Sequence, residues 1–297
     1  MDDAYALDKR NARRAFEQAA AGYDAAAVLQ NEICRRMLAR LDYIRLEPAT
    51  IVDAGSGTGN AIPGLAARFP DARIVALDLA LAMVRHARAR RIGWRGLLGW
   101  RDRRITAVCG DIERLPVAAA RTDMVWSNLA LQWVNEPPRA FAELHRALRP
   151  GGLIMFSSFG PDTLKELRNA YESADARAHV HRFIDMHDVG DMLVKAGFAD
   201  PVMDMEYVTV TYAEVRDLMR DLKAIGAHNV ARGRPTTLTG KSLLAAVERN
   251  YETHRRDGKL PATFEVVYGH AWKPAPRVGP TGLPVIDIKS LQSSNTG

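Results

Sequence analysis

The stretch IVDAGSGTGN, residues 51–60, constrains the fold more than any other part of the 297-residue chain. Ile51-Val52-Asp53 reads as the end of a buried strand. Gly55, Gly57 and Gly59 allow a tight turn and a close approach of backbone to ligand, because glycine reaches positive φ without a Cβ penalty. A helix is expected to begin near Thr58. The unpaired backbone N–H groups of the turn and the helix start would then face a polar or anionic ligand.

Glycines at i, i+2 and i+4 behind an acidic residue are not the GxGxxG spacing of dinucleotide sites. DxGxGxG instead resembles the first motif of class I methyltransferases, which bind S-adenosylmethionine. That ligand is cationic and carries no phosphate, so an acid at Asp53 suits it and would repel a pyrophosphate. The resemblance implies cofactor roles for Asp53, Gly55, Gly57 and Gly59.

The strand–helix alternation from 51 to 158 supports this. Strands are expected at 73–78, 104–108, 123–128 and 153–158, and helices at 58–68, 80–90 and 137–148, the last stopped by Arg149-Pro150-Gly151-Gly152. The fold class is α/β, a doubly wound Rossmann-like sheet. Asp78 ends the second strand, where a carboxylate accepts both ribose hydroxyls of a nucleoside. Asp111 follows the third strand, where it can hydrogen-bond the exocyclic amine of adenine while Ile112 packs on the ring. Asn128, Leu129, Gln132 and Trp133 follow the fourth, at the carboxyl edge where ligands bind; core packing is the alternative for Leu129 and Trp133. RIGWRGLLGWRDR, 91–103, reads as an inserted loop, with Trp94 and Trp100 either packed on the sheet or exposed.

Before the sheet, Phe16, Tyr23, Leu29, Ile33, Met37 and Leu41 recur at helical spacing over 9–45, with a break at Gly22. Residues 1–48 are read as a helical lid in which Tyr23 and Gln30 cover the cofactor, with core packing the alternative for Tyr23. After the fifth strand come helices from Pro161-Asp162 and at 185–196, and strands at 201–212 and 263–272. His179 and His181 alternate as on one face of a short strand. Residues 213–258 interrupt what is otherwise a short hairpin, and a stretch this long is not a bare connection. It is expected to form a helical cap of two amphipathic helices, 213–225 and 240–256, with nine Lys/Arg against six acids. The core is then 49–212 and 259–274, and 275–297, rich in Pro, Gly, Ser and Thr, reads as a disordered tail.

Charge and cysteine usage narrow the function classes. The net charge of +6 is mild, and no dense basic stretch with interleaved aromatics points to nucleic acid. Cys34 and Cys109 are too few for a disulfide framework or zinc site, which fits a reducing cytoplasm. No metal site is expected, and no apolar run long enough to span a membrane is present.

The segments beyond the cofactor motifs are more specific. FGPDTLKELR at 159–168, HVHRFIDMHDVGDMLVKAGF at 179–198, DLKAIGAHN at 221–229, GRPTTLTGK at 233–241 and LPATFEVVYGHAWKP at 260–274 closely resemble the malonyl-acyl-carrier-protein O-methyltransferases of biotin synthesis. The resemblance spans about 9–274. It implies methyl transfer from S-adenosylmethionine to the free carboxylate of a malonyl thioester on acyl carrier protein, an acidic partner that agrees with the basic cap. Gln132, Trp133 and Tyr23 are the candidates at the transfer centre, and His181, Arg182 and Arg232 are candidate substrate contacts. Two other readings differ in product. Small-acid methyltransferases of the trans-aconitate type share an LQWV-like segment but lack the long capped C-terminal half. A mitochondrial complex I assembly factor with a similar C-terminal half acts as a hydroxylase and forms no methyl ester.

Overall fold

The computed structural model describes residues 6–90, 104–175, 177, 179–227 and 240–275. Arg232, the Trp94/Trp100 loop and all but the first residue of the 275–297 tail lie outside them.

Seven strands form one sheet in the order β3-β2-β1-β4-β5-β7-β6. They are β1 (Thr50–Ala54), β2 (Arg73–Asp78), β3 (Ile105–Cys109), β4 (Thr122–Asn128), β5 (Leu148–Phe159), β6 (Ala199–Tyr212) and β7 (Leu260–Trp272). β1 to β5 pair in parallel, as their near-continuous apolar runs require for burial on both faces. β7 inserts antiparallel between β5 and β6, so the sheet is α/β and Rossmann-like with one reversed strand.

The chain begins with α1 (Lys9–Ala19), α2 (Tyr23–Ala26) and α3 (Val28–Arg40). Asp8 caps α1 by accepting from the N–H groups of Arg10 and Asn11. The break expected at Gly22 lies between α1 and α2. α1 and α2 lie over the site, whereas α3 sends Ile33, Cys34 and Met37 into the main core with Ile51, Met124 and Trp126. It is a layer helix of the sheet as well as part of the lead-in.

The layer helices that follow are α4 (Ile62–Arg68), α5 (Leu81–Ala89), α6 (Pro137–Ala147), α7 (Lys165–Glu172) and α8 (Met186–Lys195). The helix expected from residue 58 starts four residues later. Gly57 and Gly59 take positive φ of 52° and 81°, so the chain is still turning at 58–61, and Pro63 sits in the first turn, where it costs no hydrogen bond. The short strand expected from His179 and His181 is absent, for residues 179–185 hold no regular structure.

Between β6 and β7 lie the helices of the insertion, α9 (Val215–Ala224) and α10 (Lys241–Glu252). α10 packs on α7 and buries Val247 and Tyr251 in the main core. Gly226, just after α9, approaches the lid so closely that a Cβ there would lie 3.1 Å from the Ala15 carbonyl oxygen. The insertion and the lid therefore meet over the carboxyl edge of the sheet.

Candidate active site

The glycine turn is held by the neighbouring strand. Gly55 and Ser56 donate their N–H groups to the Leu77 carbonyl at 2.8 and 2.9 Å, and Gly57 donates to the Asp78 carboxylate at 2.9 Å. Ala80 N–H donates to the other Asp78 oxygen at 2.8 Å. Burial nevertheless pushes Asp78 up to about 6, partly offset by these backbone donors. A Cβ on Gly55 would lie 2.1 Å from that of Ala130, so only glycine lets this turn pass under the segment after β4.

A cavity of about 990 Å³ opens above this turn, within the size range of small-molecule sites. One end is lined by Gly55, Gly57, Asp78, Asp111 and Ile112. Its middle is lined by Tyr23, Gln30, Asn128, Leu129, Gln132 and Trp133. The far end is apolar, walled by Phe159, Leu164, Leu167, Phe183, Val208 and Phe264. The insertion contributes Met219, Leu222 and Lys223, and the loop before α8 contributes His179 and His181.

The middle section is rigidly made. Leu129 takes a left-handed φ of 50°, and its N–H donates to the Ser157 carbonyl and hydroxyl at 3.1 Å each. The Ser157 hydroxyl donates to Asn128 Oδ1 at 2.9 Å, and Asn128 Nδ2 donates to the Gln30 carbonyl at 3.2 Å. Gln132 Nε2 donates to the Leu129 carbonyl at 2.8 Å, leaving Gln132 Oε1 buried with no partner among the described residues. Trp133 stands edge-on to Phe16 at 5.1 Å and to His181 at 5.3 Å. Tyr23 is both core and cover: it packs with Ala19, Ala20 and Met83 and lines the cavity. Burial, then the charges of Asp78 and Asp24, push its hydroxyl pKa up.

The apolar end depends on the 159–164 segment. Asp162 N–H donates to Glu265 Oε2 at 2.7 Å and Leu164 N–H to the Thr263 carbonyl at 2.7 Å. Leu164 is held at φ 56°, which turns this segment along β7 and sets Leu164 in the wall.

Not every candidate from the sequence comes to the cavity. Asp53 is 1% exposed and does not line it. Burial, then the charge of Asp78, pushes it up to about 8, so its place beneath the turn favours the neutral form. Gly59 faces the other way, where a Cβ would meet Ile62 and the Ala87 backbone at 2.7 and 2.9 Å. Arg182 is not among the lining residues. Sequence reasoning missed Lys9, which lines the cavity and pairs with Asp111 at 2.5 Å and with Glu113. It also missed the packing of His179 on Tyr171 at 4.1 Å and its bond to Asp175 at 2.9 Å. A lone lysine at a helix start carries no signal in sequence, and the alternation of the histidine pair does not tell which side chains His179 meets. Among the described residues no group of three or more His, Cys, Asp or Glu could hold a metal ion, and no helix is long and apolar enough to cross a membrane.

Residues 52–156 match the family model described as a methyltransferase domain. The chain is 57% identical over 282 residues to a malonyl-acyl-carrier-protein O-methyltransferase of Gallionella capsiferriformans, covering 95% of this chain and 97% of that one. It is 54% identical to the protein of the same name from Methylovorus sp., covering 99% of each. Among solved structures, YcgJ of Bacillus subtilis superposes with a TM-score of 0.57 at 13% identity, over 81% of this chain and 99% of that one. The [4+2]-cyclase SpnF superposes with a TM-score of 0.52 at 21% identity, over 82% of each. These two share the fold.

Proposed function

Because this chain belongs to the malonyl-acyl-carrier-protein O-methyltransferase family, we propose that it esterifies the free carboxylate of a malonyl thioester carried on acyl carrier protein. The enzyme is an S-adenosylmethionine-dependent methyltransferase. Its place is the early part of biotin synthesis, where a masked malonyl group serves as primer. One observation carries the reading: one cavity is lined by Gly55, Asp78 and Asp111, by Gln132 and Trp133, and by the apolar side chains of Phe159, Leu164 and Phe264 together with residues of the cap.

The residues at the polar end fit the cofactor. Asp78 supplies acceptors for two ribose hydroxyls, Ile112 an apolar face for adenine, and Asp111 an acceptor for its amine. Gly57, where a Cβ would meet only the Tyr23 ring at 3.9 Å, leaves room for the amino-acid end. When bound, the cofactor supplies an electrophilic methyl group on a sulfonium. Leu129, Gln132 and Trp133 face the point of transfer. The unpartnered Gln132 Oε1 is an acceptor for a polarised methyl C–H.

A malonyl carboxylate is already ionised at neutral pH, so no general base is required. The chain's task is alignment and exclusion of water, which can contribute on the order of 7–11 kcal/mol. Trp133 and His181 are edge-on neighbours at 5.3 Å, and they form the wall on which the carboxylate lies. Gln132 and Tyr23 complete that wall. Lys223 of the cap adds a cation at the cavity, in a position to meet the carrier's arm or its acidic surface. Arg182, which does not line the cavity, and Arg232, which lies outside the described residues, remain candidate substrate contacts. Nucleic acid has no role in this reading.

The domain division that follows is a lid up to the start of α3, a methyltransferase core, and a cap at 213–258. Free Cys34 and Cys109 suit a reducing compartment, and we place the enzyme in the cytoplasm. The test is methyl transfer from labelled S-adenosylmethionine to malonyl-acyl carrier protein. The label should be base-labile, as a methyl ester is, and absent when Gln132 and Trp133 are both replaced by alanine in a chain that still binds S-adenosylhomocysteine.

A further inference from the structure

The first residues of α1 hold two separate parts of the cavity wall at once. Lys9 Nζ pairs with Asp111 at 2.5 Å and with Glu113. Glu113 accepts the backbone N–H groups of Asn135 and Glu136 at 2.5 and 2.7 Å. Asn135 accepts from Leu7 N–H at 2.8 Å and donates to the Leu7 carbonyl at 3.0 Å. The circuit is closed: Leu7 and Lys9 on the lid, Glu113 on the loop after β3, and Asn135 two residues beyond Trp133. Apolar packing follows the same path, since Leu7 and Ala12 bury against Trp133 and Phe16 meets its ring.

Water has little access to this circuit. The side chains of Lys9, Asp111 and Glu113 are 25%, 29% and 9% exposed, so the charge-assisted bonds are weakly screened. Without the ammonium, two carboxylates two residues apart would face one another in a half-buried site, where like charges disfavour their shared geometry.

We propose that Lys9 is a positioning residue that couples lid closure to both ends of the site. It fixes Asp111 as an acceptor for the adenine amine. Through Glu113 and Asn135 it also ties the adenine loop to the Leu131–Trp133 turn, so that filling the cofactor end orders the transfer end. This rests on the reading of Asp111 as an adenine contact.

The test compares the unaltered chain with Lys9→Met and Lys9→Arg by calorimetry. The probes are S-adenosylhomocysteine and S-inosylhomocysteine, whose six-position carries an acceptor oxygen in place of the amine. Lys9→Met should weaken S-adenosylhomocysteine about tenfold and narrow the preference for adenine over hypoxanthine, and Lys9→Arg should recover part of both. A merely structural lysine would leave that preference unchanged. A second measurement needs no variant: saturating S-adenosylhomocysteine should slow tryptic cleavage after Arg13 and Arg14. An unchanged preference in Lys9→Met, or cleavage indifferent to the ligand, overturns the clamp while leaving the cofactor reading intact. Failure of the unaltered chain to bind S-adenosylhomocysteine overturns both.

Discussion

The backbone N–H of Gly57 donates to the Asp78 carboxylate at 2.9 Å, so the glycine turn after β1 and the acid at the tip of β2 form one rim. Asp78 is thereby aimed into the cavity. Asp78→Asn keeps the shape but loses the charge that two hydroxyl donors need. S-adenosylhomocysteine should bind roughly 10- to 100-fold more weakly, the value of a hydrogen bond to a charged group. Titration calorimetry on the folded variant checks this.

Cofactor binding should also depend on pH. Burial pushes Asp78 up to about 6, and ribose hydroxyls donate to its ionised form. Affinity for S-adenosylhomocysteine should therefore rise with pH through about 6 and level off above, with a proton released on binding below that point. The same titration in buffers of different ionisation enthalpy measures the proton.

Asp53 gives a stability effect of definite sign. Its folded value of about 8 exceeds the unfolded 3.8, so the folded chain holds the extra proton between them. Its contribution is fully present below about pH 4 and is lost as pH rises through about 8. The half-buried His145 and His270 are held below their ordinary value by desolvation and act in the opposite direction only below about 6.5. Between pH 7 and 8.5, urea denaturation of the ligand-free chain should thus show stability falling, and Asp53→Asn should flatten that slope.

Gly55 and Gly59 look alike in sequence but should fail differently. Gly55→Ala drives its Cβ against Ala130 under the methyl-transfer turn, whereas Gly59→Ala drives it against Ile62 and the Ala87 backbone between helices. Both also strain a φ of +81°. Each should cost about 1–3 kcal/mol in denaturant unfolding. Only Gly55→Ala should, in addition, abolish S-adenosylhomocysteine binding in the remaining folded protein.

Replacing Trp133 by Phe should spare cofactor binding and lower kcat. Its ring is fixed between Phe16 and His181, so a smaller ring lets the acceptor carboxylate shift. A displacement of about 1 Å costs on the order of 10²-fold in rate. Single-turnover kinetics with saturating S-adenosylmethionine separates this loss from binding.

Those residues also mark how far the sequence could be read. The glycine turn, Asp78 at the end of β2 and the strand–helix alternation up to β5 are legible because each rests on local spacing: apolar runs, positive-φ glycines and an acid at a strand end. The start of α4 is not, since Gly57 and Gly59 keep the chain turning beyond Thr58. The DxGxGxG resemblance and its charge point Asp53 toward the ligand, whereas its burial under the turn depends on packing with β2 and β4 that no local pattern records. Lys9 was invisible for a similar reason: its partners Asp111 and Glu113 lie more than 100 residues away in the chain. The loop of His179 and His181 misled because alternation over a few residues is shared by strands and by chain held in place through side-chain contacts.

The central claim is tested most directly by incubating the purified chain with S-adenosylmethionine and malonyl-acyl carrier protein and weighing the intact carrier. The account predicts a gain of one methyl group on the malonyl carrier and none on acetyl-acyl carrier protein, which lacks the free carboxylate. No gain on the malonyl carrier from a chain that binds S-adenosylhomocysteine, or an equal gain on both carriers, would contradict it.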